Sequence, residues 1–293
     1  MTANARLGQS ETLAGTAGPA LGGALLNLIG SPLLLAFDAA VTAVSALLQS
    51  RITVEERRPD RRAPGRHIGH DILEGMRFTY RHRTLRPLAL SVHAWFLGNS
   101  IVSTVFAVFV LRELSLPAWA FGVALAFGGI GGLLGALIAP AVGARLGAGR
   151  AILLGRALVV LPWLGLAVLP LDASSDLGLL LPVVCAVQFV YGLSMGIEDA
   201  NDTGYRQAIA PDEIQGRMNS TIRTANRIVF LFGALLTGFL VTAWGYHLTL
   251  GTAVIAFIAA ALIVMLSPLR EARHDDPETS PDQDQDAMGG TPR

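Results

Sequence analysis

Roughly 20-residue apolar stretches recur along the 293-residue chain, at 12–30, 32–50, 88–111, 118–141, 151–170, 177–198, 226–244 and 247–267. About 20 such residues, wound as a helix, cross the hydrocarbon core of a bilayer. Within lipid the backbone must satisfy its own hydrogen bonds, which a helix does. Counting glycine, roughly 60% of the residues are apolar, against about 45–50% in soluble domains. Charged residues make up 15%, where about 25% is usual. These features predict an all-α integral membrane bundle of about eight transmembrane helices. The single cysteine, Cys185, rules out an internal disulfide framework and sits in an apolar run as a small core residue. The first apolar stretch continues almost unbroken to Ser50, far longer than a signal-peptide core, and is expected to stay in the mature protein.

Charge gives the stack an orientation. Every basic residue is arginine, and all but Arg112 fall in or beside segments on one side of the stack: 1–11, 51–87, 142–150, 199–225 and 268–293. The opposite side carries Asp172 and Asp176. Arginine-rich loops stay cytoplasmic, so both termini are expected in the cytoplasm. The long connection 51–87 begins with Pro59 and Pro64 as a charged linker. It then spaces Ile68, Ile72, Met76 and Tyr80 four apart, the stripe of an amphipathic helix on the inner membrane surface. Interleaved Glu55, Glu56, Asp60, Asp71 and Glu74 argue against nucleic acid as its partner. The tail after Arg270 is acidic, bears prolines and lacks apolar periodicity, so disorder is expected.

Three stretches carry motifs. In AGTAGPALGG (14–23), Gly18 and Gly22 offer a flat packing face, Pro19 bends the helix, and Gly23 follows. In PAVGARLGAGRAILLG (140–155), Gly143, Arg145, Gly147 and Arg150 surround a tight turn between spans. In YRQAIAPDEIQGRMNSTIR (205–223) stand Arg206-Gln207, Pro211-Asp212, Gly216-Arg217 and Asn219.

AGTAGPALGG resembles the fifth-helix antiporter motif of the major facilitator superfamily, with Ala14 in place of its first glycine. The stretch 140–155 resembles the degenerate C-terminal copy of that superfamily's short cytoplasmic loop, without the aspartate that pairs with the arginines. The stretch 205–223 resembles the connection before the eleventh helix in the macrolide-efflux and enterobactin-exporter-like branch. The resemblance extends over roughly residues 4–270. It implies twelve spans in two halves with substrate between them, of which this chain would supply helices 5–12. On that reading residues 1–50 hold the last two helices of the N-terminal half and 51–87 the cytoplasmic linker. Residues 88–267 form the C-terminal six-helix bundle and 268–293 the tail, and the chain is N-terminally incomplete. The implied activity is proton-coupled efflux of a drug-like or siderophore-like small molecule by alternating access in the bacterial cytoplasmic membrane. Its partners are substrate, protons, membrane lipid and, for a fragment, the missing N-terminal helices. Neither cofactor nor nucleic acid is implied. Arg145 and Arg150 would hold inner helix ends together in one state and release them in the other.

Polar side chains inside spans are costly and are functional candidates for that reason. Asp38 lies about 9 Å into the second span; it would carry a proton, or rest as a structural carboxylate at the positive helix end. His93, Asn99 and Gln188 would line a cavity and touch substrate, or join neighbouring helices. Glu198, Asp199, Asn201 and Asp202 crowd the inner end of the sixth span, where acids oppose the helix dipole. They are expected to pair with Arg206, Arg217 or Arg223, as an inner gate or as a solvated loop. His67 and His70 have a spacing usable by metal, but no third ligand is evident and no metal site is assigned. The rival class is a membrane scaffold or a membrane enzyme. An enzyme would cluster nucleophile, base or metal ligands at the surface, and the sequence shows no such cluster.

Overall fold

The computed structural model describes residues 33, 35–51, 68–169 and 177–273. Among them, every regular element is a helix. In chain order these are α1 (Leu35–Ser50), α2 (Ile68–Arg81), α3 (Leu85–Val108), α4 (Ala118–Leu146), α5 (Ala148–Leu158), α6 (Val160–Ala167), α7 (Leu177–Ile209) and α8 (Asp212–Met265). A π-helical turn at Phe109–Glu113 prolongs α3, and a 3-10 turn at Pro268–Glu271 follows α8. The predicted span 12–30 and the motif residues Gly18, Pro19, Gly22 and Gly23 lie outside the described residues.

Among the described residues, five helices are long and apolar enough to cross a membrane, counting α3 with its π turn and α5 with α6 as one each. The fifth, α8, would reach about 80 Å if straight, more than twice a bilayer core. It breaks at Gly245, whose φ of 75° is open to glycine without the penalty a Cβ brings. Side-chain pairing with α3 shows that the chain reverses there. Going up α3, His93 and Ser100 meet Asn226 and Gly233 in ascending order. Ser91 and Gly98 meet Ala260 and Ala253 in descending order. The two arms of α8 are therefore antiparallel; they contain most of the apolar stretches 226–244 and 247–267, and the first arm also takes in 212–225.

Helices α4 and α7 run side by side on glycine. A methyl group added to Gly131 would meet Phe189 O, one on Gly135 would meet Leu193 O, and ones on Gly192 and Gly196 would meet Gly128 O and Gly132 O. Backbone thus rests on backbone, the close approach that small residues permit between membrane helices. Gly155 does the same for α5, letting it approach Ser194 O and Glu198 of α7. The interior divides into an aromatic cluster around Trp95, Phe106, Phe109, Trp163 and Phe257, and an aliphatic one around Leu85, Leu88, Ile152, Met218 and Leu269. The exterior is apolar too: Leu137, Leu161, Phe232, Leu235, Phe239 and Ile255 are exposed, as suits a lipid solvent.

Four features differ from expectation. The bundle starts at Leu85, three residues before the predicted 88. Segment 199–225 is not a loop; α7 and α8 extend through it and turn only at Ala210-Pro211, where proline fits the start of a helix but cannot continue one. The tail expected from 268 is folded to at least Ala272: Leu269 and Ala272 are buried, and Gly149 N–H donates to Ala272 O. The apolar Leu269 explains the anchoring, which the acidity of the remaining tail hides. Helix α2 has Asp71 in its first turn and Arg81 in its last, complementing the dipole. Its buried residues, however, are Gly75, set against Arg217 O and Thr221 of α8, and Thr79, whose hydroxyl donates to Gly75 O, while Ile72 and Met76 stay exposed. Glycine won over the larger apolar residues because only it lets the two backbones close.

Candidate functional site

One face of α7 is polar along most of its length. Gln188, Tyr191, Glu198, Asp202 and Arg206 follow each other at intervals of three, four or seven residues, which places them in a line on a helix. Four of these five stand out in the sequence as separate candidates; Tyr191 does not. Their common helical spacing through an otherwise apolar span is the signal that joins them.

At one end of the line lies a cavity of about 240 Å3 between α3, α4, α6 and α7. Phe106, Phe121, Trp163, Tyr191, Ser103 and Gln188 are among its lining residues. The rings brace each other edge to face: Phe106–Trp163 at 5.6 Å and 88°, Trp163–Tyr191 at 5.5 Å and 78°. The Tyr191 hydroxyl donates to Asn99 Oδ1 at 2.5 Å, so α3 fixes that ring in place. Gln188 is only 7% exposed. Its Oε1 and the Trp163 Nε1–H are buried with no hydrogen-bond partner among the described residues.

Two turns further along α7 stands Glu198, and two turns back from Trp163 stands Arg156. They form an ion pair at 2.8 Å. The Arg156 side chain is 1% exposed, and its guanidinium lies 5.7 Å over the Trp95 ring. The short approach is off the line a hydrogen bond requires, so Arg156 is held by charge and stacking. Beyond it, Asp202 pairs with Arg206 at 2.7 Å, and Asn201 Nδ2–H donates to Ala139 O of α4. The partners expected for Glu198 are Arg206, Arg217 and Arg223. It meets Arg156 instead, because Gly155 brings α5 against this face of α7. Asp199 is exposed one residue further round the helix.

Arg217 closes on the linker helix, with Nη1 2.7 Å from Glu74 and Nε 3.5 Å from Asp71. His93, expected at the cavity, joins three helices nearby. Its Nδ1 donates to Asn226 Oδ1 at 2.6 Å and its Nε2 accepts from Tyr80 OH at 2.8 Å. Burial pushes the Tyr80 phenol above its ordinary value, which keeps the donor proton in place. His70, Asp71 and Glu74 cluster closely enough to suggest a cation, but Arg217 already supplies the positive charge that both acids need. A larger cleft, about 430 Å3, opens between α2 and α8 beside Ile72, Met76 and Ile228. Its Arg217, Ser220 and Thr221 all bond within the protein.

Of the remaining predicted residues, Gly143 is buried in α4 and its carbonyl accepts from Gly147 N–H. Gly147 turns the chain into α5 with φ of 85°. Arg145 and Arg150 are exposed and have no ion-pair partner among the described residues; what braces this turn is the backbone of 269–272. Asp38 is exposed, as is every described residue of α1.

A bundle of apolar helices, reversing at Gly147 and Gly245 and threaded by one polar seam, defines a multi-pass helical membrane protein. A family model described as transmembrane secretion effector (MFS_3) matches residues 8–288. The chain belongs to this family of major facilitator transporters. No curated protein sequence matches it.

Proposed function

We propose that this chain exports a small drug-like or siderophore-like molecule by alternating access, driven by proton entry, and that Glu198 is where the proton acts. The observation that carries the reading is the seam on α7, which joins an aromatic cavity to a buried ion pair. Neutralising Glu198 would release Arg156, which has no hydrogen bond to hold it there. An unpaired buried guanidinium is costly, so the α5–α7 contact would favour a second arrangement. Coupling requires only that proton and substrate prefer different conformations. The reading places the protein in the bacterial cytoplasmic membrane with the ends of α2 and α5 that carry arginine facing the cytoplasm.

The test is accumulation of ethidium and Hoechst 33342 in inverted membrane vesicles that hold the full chain. Uptake driven by a pH gradient and collapsed by a protonophore is the expected result. Glu198→Gln should abolish gradient-driven uptake while exchange of dye across the membrane persists. Gradient-driven uptake unchanged in Glu198→Gln would remove the proton role from this residue. Parent vesicles that take up neither dye, nor any other amphiphile in a broad panel, would favour a scaffold.

A further inference from the structure

The turn between α4 and α5 carries positive charge that no described residue balances. Arg145 and Arg150 stand two residues before and three residues after Gly147. Both are exposed, and neither has an ion-pair partner among the described residues. Arg150 also sits in the first turn of α5, which holds no acid, so it opposes the helix dipole. Described acids that pair do so elsewhere: Asp71 and Glu74 with Arg217, Glu198 with Arg156, Asp202 with Arg206, and Glu271 with Arg270.

The chain itself delivers opposite charge to this place. Leu269 and Ala272 are buried in one aliphatic cluster with Ala148 and Ile152 of α5. Gly149 N–H donates to Ala272 O, and a methyl group added to Gly147 would lie 3.4 Å from Cγ of Arg273. Residues 269–273 are thus fixed against the turn that bears the two arginines. Directly after them the sequence reads DDPETSPDQDQD (275–286), with six acids and no basic residue. An extended chain spans at most about 3.5 Å per residue, so Asp275 and Asp276 lie within about 10 Å of Arg273 and all six acids within about 45 Å. So short a tether keeps the carboxylates at a high effective concentration, where individually weak surface pairs act together.

We infer that the acidic segment 275–286 docks on the α4–α5 turn and pairs its carboxylates with Arg145 and Arg150, clasping the end of the chain to the start of α5. The clasp adds a charged hold to the backbone bond at Gly149, and it weakens as salt screens it. Through α5 it bears on Arg156 and the buried pair with Glu198. That last consequence rests on the export reading; the contact itself does not.

The chain contains no lysine, which permits a direct test. Arg145→Lys and Arg150→Lys, made singly in the full chain, keep the charge and each add one side-chain amine. A water-soluble carbodiimide condenses such an amine with a carboxylate in contact with it. The reaction is run in vesicles of phosphatidylcholine and phosphatidylglycerol and read by digestion and mass spectrometry. At least one variant is expected to link, within a single chain, to an acid of 275–286. Raising the salt to about 1 M, where the screening length falls to about 3 Å, should cut the yield at least about five-fold. Arg112→Lys, at the far end of α3, should give no such link. Neutralising the segment, with its five aspartates changed to Asn and Glu278→Gln, should speed hydrogen exchange at Gly149 about three-fold at low salt. Links absent from both variants, formed only between chains, made only to other acids, or matched by Arg112→Lys would overturn the inference. A link seen in lipid-free detergent but lost in the vesicles would assign the arginines to lipid headgroups and overturn it too. Exchange at Gly149 that ignores neutralisation would overturn the hold on α5. Dye transport is not a readout here, so these results stand or fall apart from those that test export.

Discussion

The two ends of the α7 seam are built from the same helix yet obey opposite rules. At the cavity, Gln188 and Tyr191 sit among rings without any formal charge, and polar atoms are left unmet. Two turns away, Glu198 and Asp202 are each matched to an arginine. A group that must take up and release a ligand has to leave hydrogen-bonding capacity unused inside the protein. A group that fixes helices together spends its capacity on the protein. On the proposed export reading, the cavity end would touch cargo and the paired end would carry the conformational state.

The sharpest way to break that contrast is to remove one partner of the buried pair. Arg156→Leu leaves Glu198 buried and uncompensated, a loss of about 3–5 kcal/mol. It should appear as a large fall in the melting temperature of the detergent-solubilised protein. Arg156→Leu with Glu198→Leu should recover most of that stability, since well-packed apolar pairs replace buried ion pairs at little cost. A double variant no more stable than the single one would show that the pair is not what suffers. The next effect belongs to the scaffold that aligns the seam. Gly192→Leu drives a side chain into Gly128 O and should cost about 1–3 kcal/mol in the same melting measurement. Gly238→Leu, where an added methyl meets nothing, should leave the melting temperature unchanged.

At the cavity end the expected effect is smaller. Tyr191→Phe removes the hydroxyl that donates to Asn99, a net loss of about 0.5–1.5 kcal/mol. The ring then loses its tether, so gradient-driven dye uptake should slow while melting barely moves. A variant that melts far lower but transports equally well would place Tyr191 among the structural groups instead.

How far the sequence reveals this arrangement depends on which residues decide each feature. Spans are legible because lipid demands about 20 apolar residues per crossing; α3, α4, α5 and α7 begin at or within three residues of the apolar stretches, whereas α7 and α8 run on through 199–225. The reversal at 245 is marked by a gap of two residues between spans. What sequence patterning conceals is decided by glycine. The pairs 128/132, 131/135 and 192/196 each have the four-residue spacing of close-packing helices, yet their meeting depends on which helices become neighbours. That choice in turn decides that Glu198 faces Arg156, well inside the bundle from the α7–α8 turn at Pro211. His93 reads as a cavity residue because one polar side chain in a span has no directional signal; its partners Tyr80 and Asn226 come from two other helices. Gln188, read in the same way, is among the residues that line the 240 Å3 cavity.

The smallest effect sharpens the comparison at its charged end, where a buried pair and a wetter one coexist. Arg217 reaches Asp71 and Glu74 of α2, but these side chains retain 24%, 21% and 33% of their exposure. Water screens such a pair, so Arg217→Gln should cost no more than about 1 kcal/mol. Its consequence is local, because α2 is also held by the Gly75 contact and the Tyr80–His93 bond. Hydrogen exchange should therefore quicken in 68–74 and stay slow from Gly75 to Arg81, with no change in α7. Faster exchange spreading into 188–206 would mean that linker helix and seam share one cooperative unit, and that the inner end is a single device instead of a fixed core with a detachable clasp.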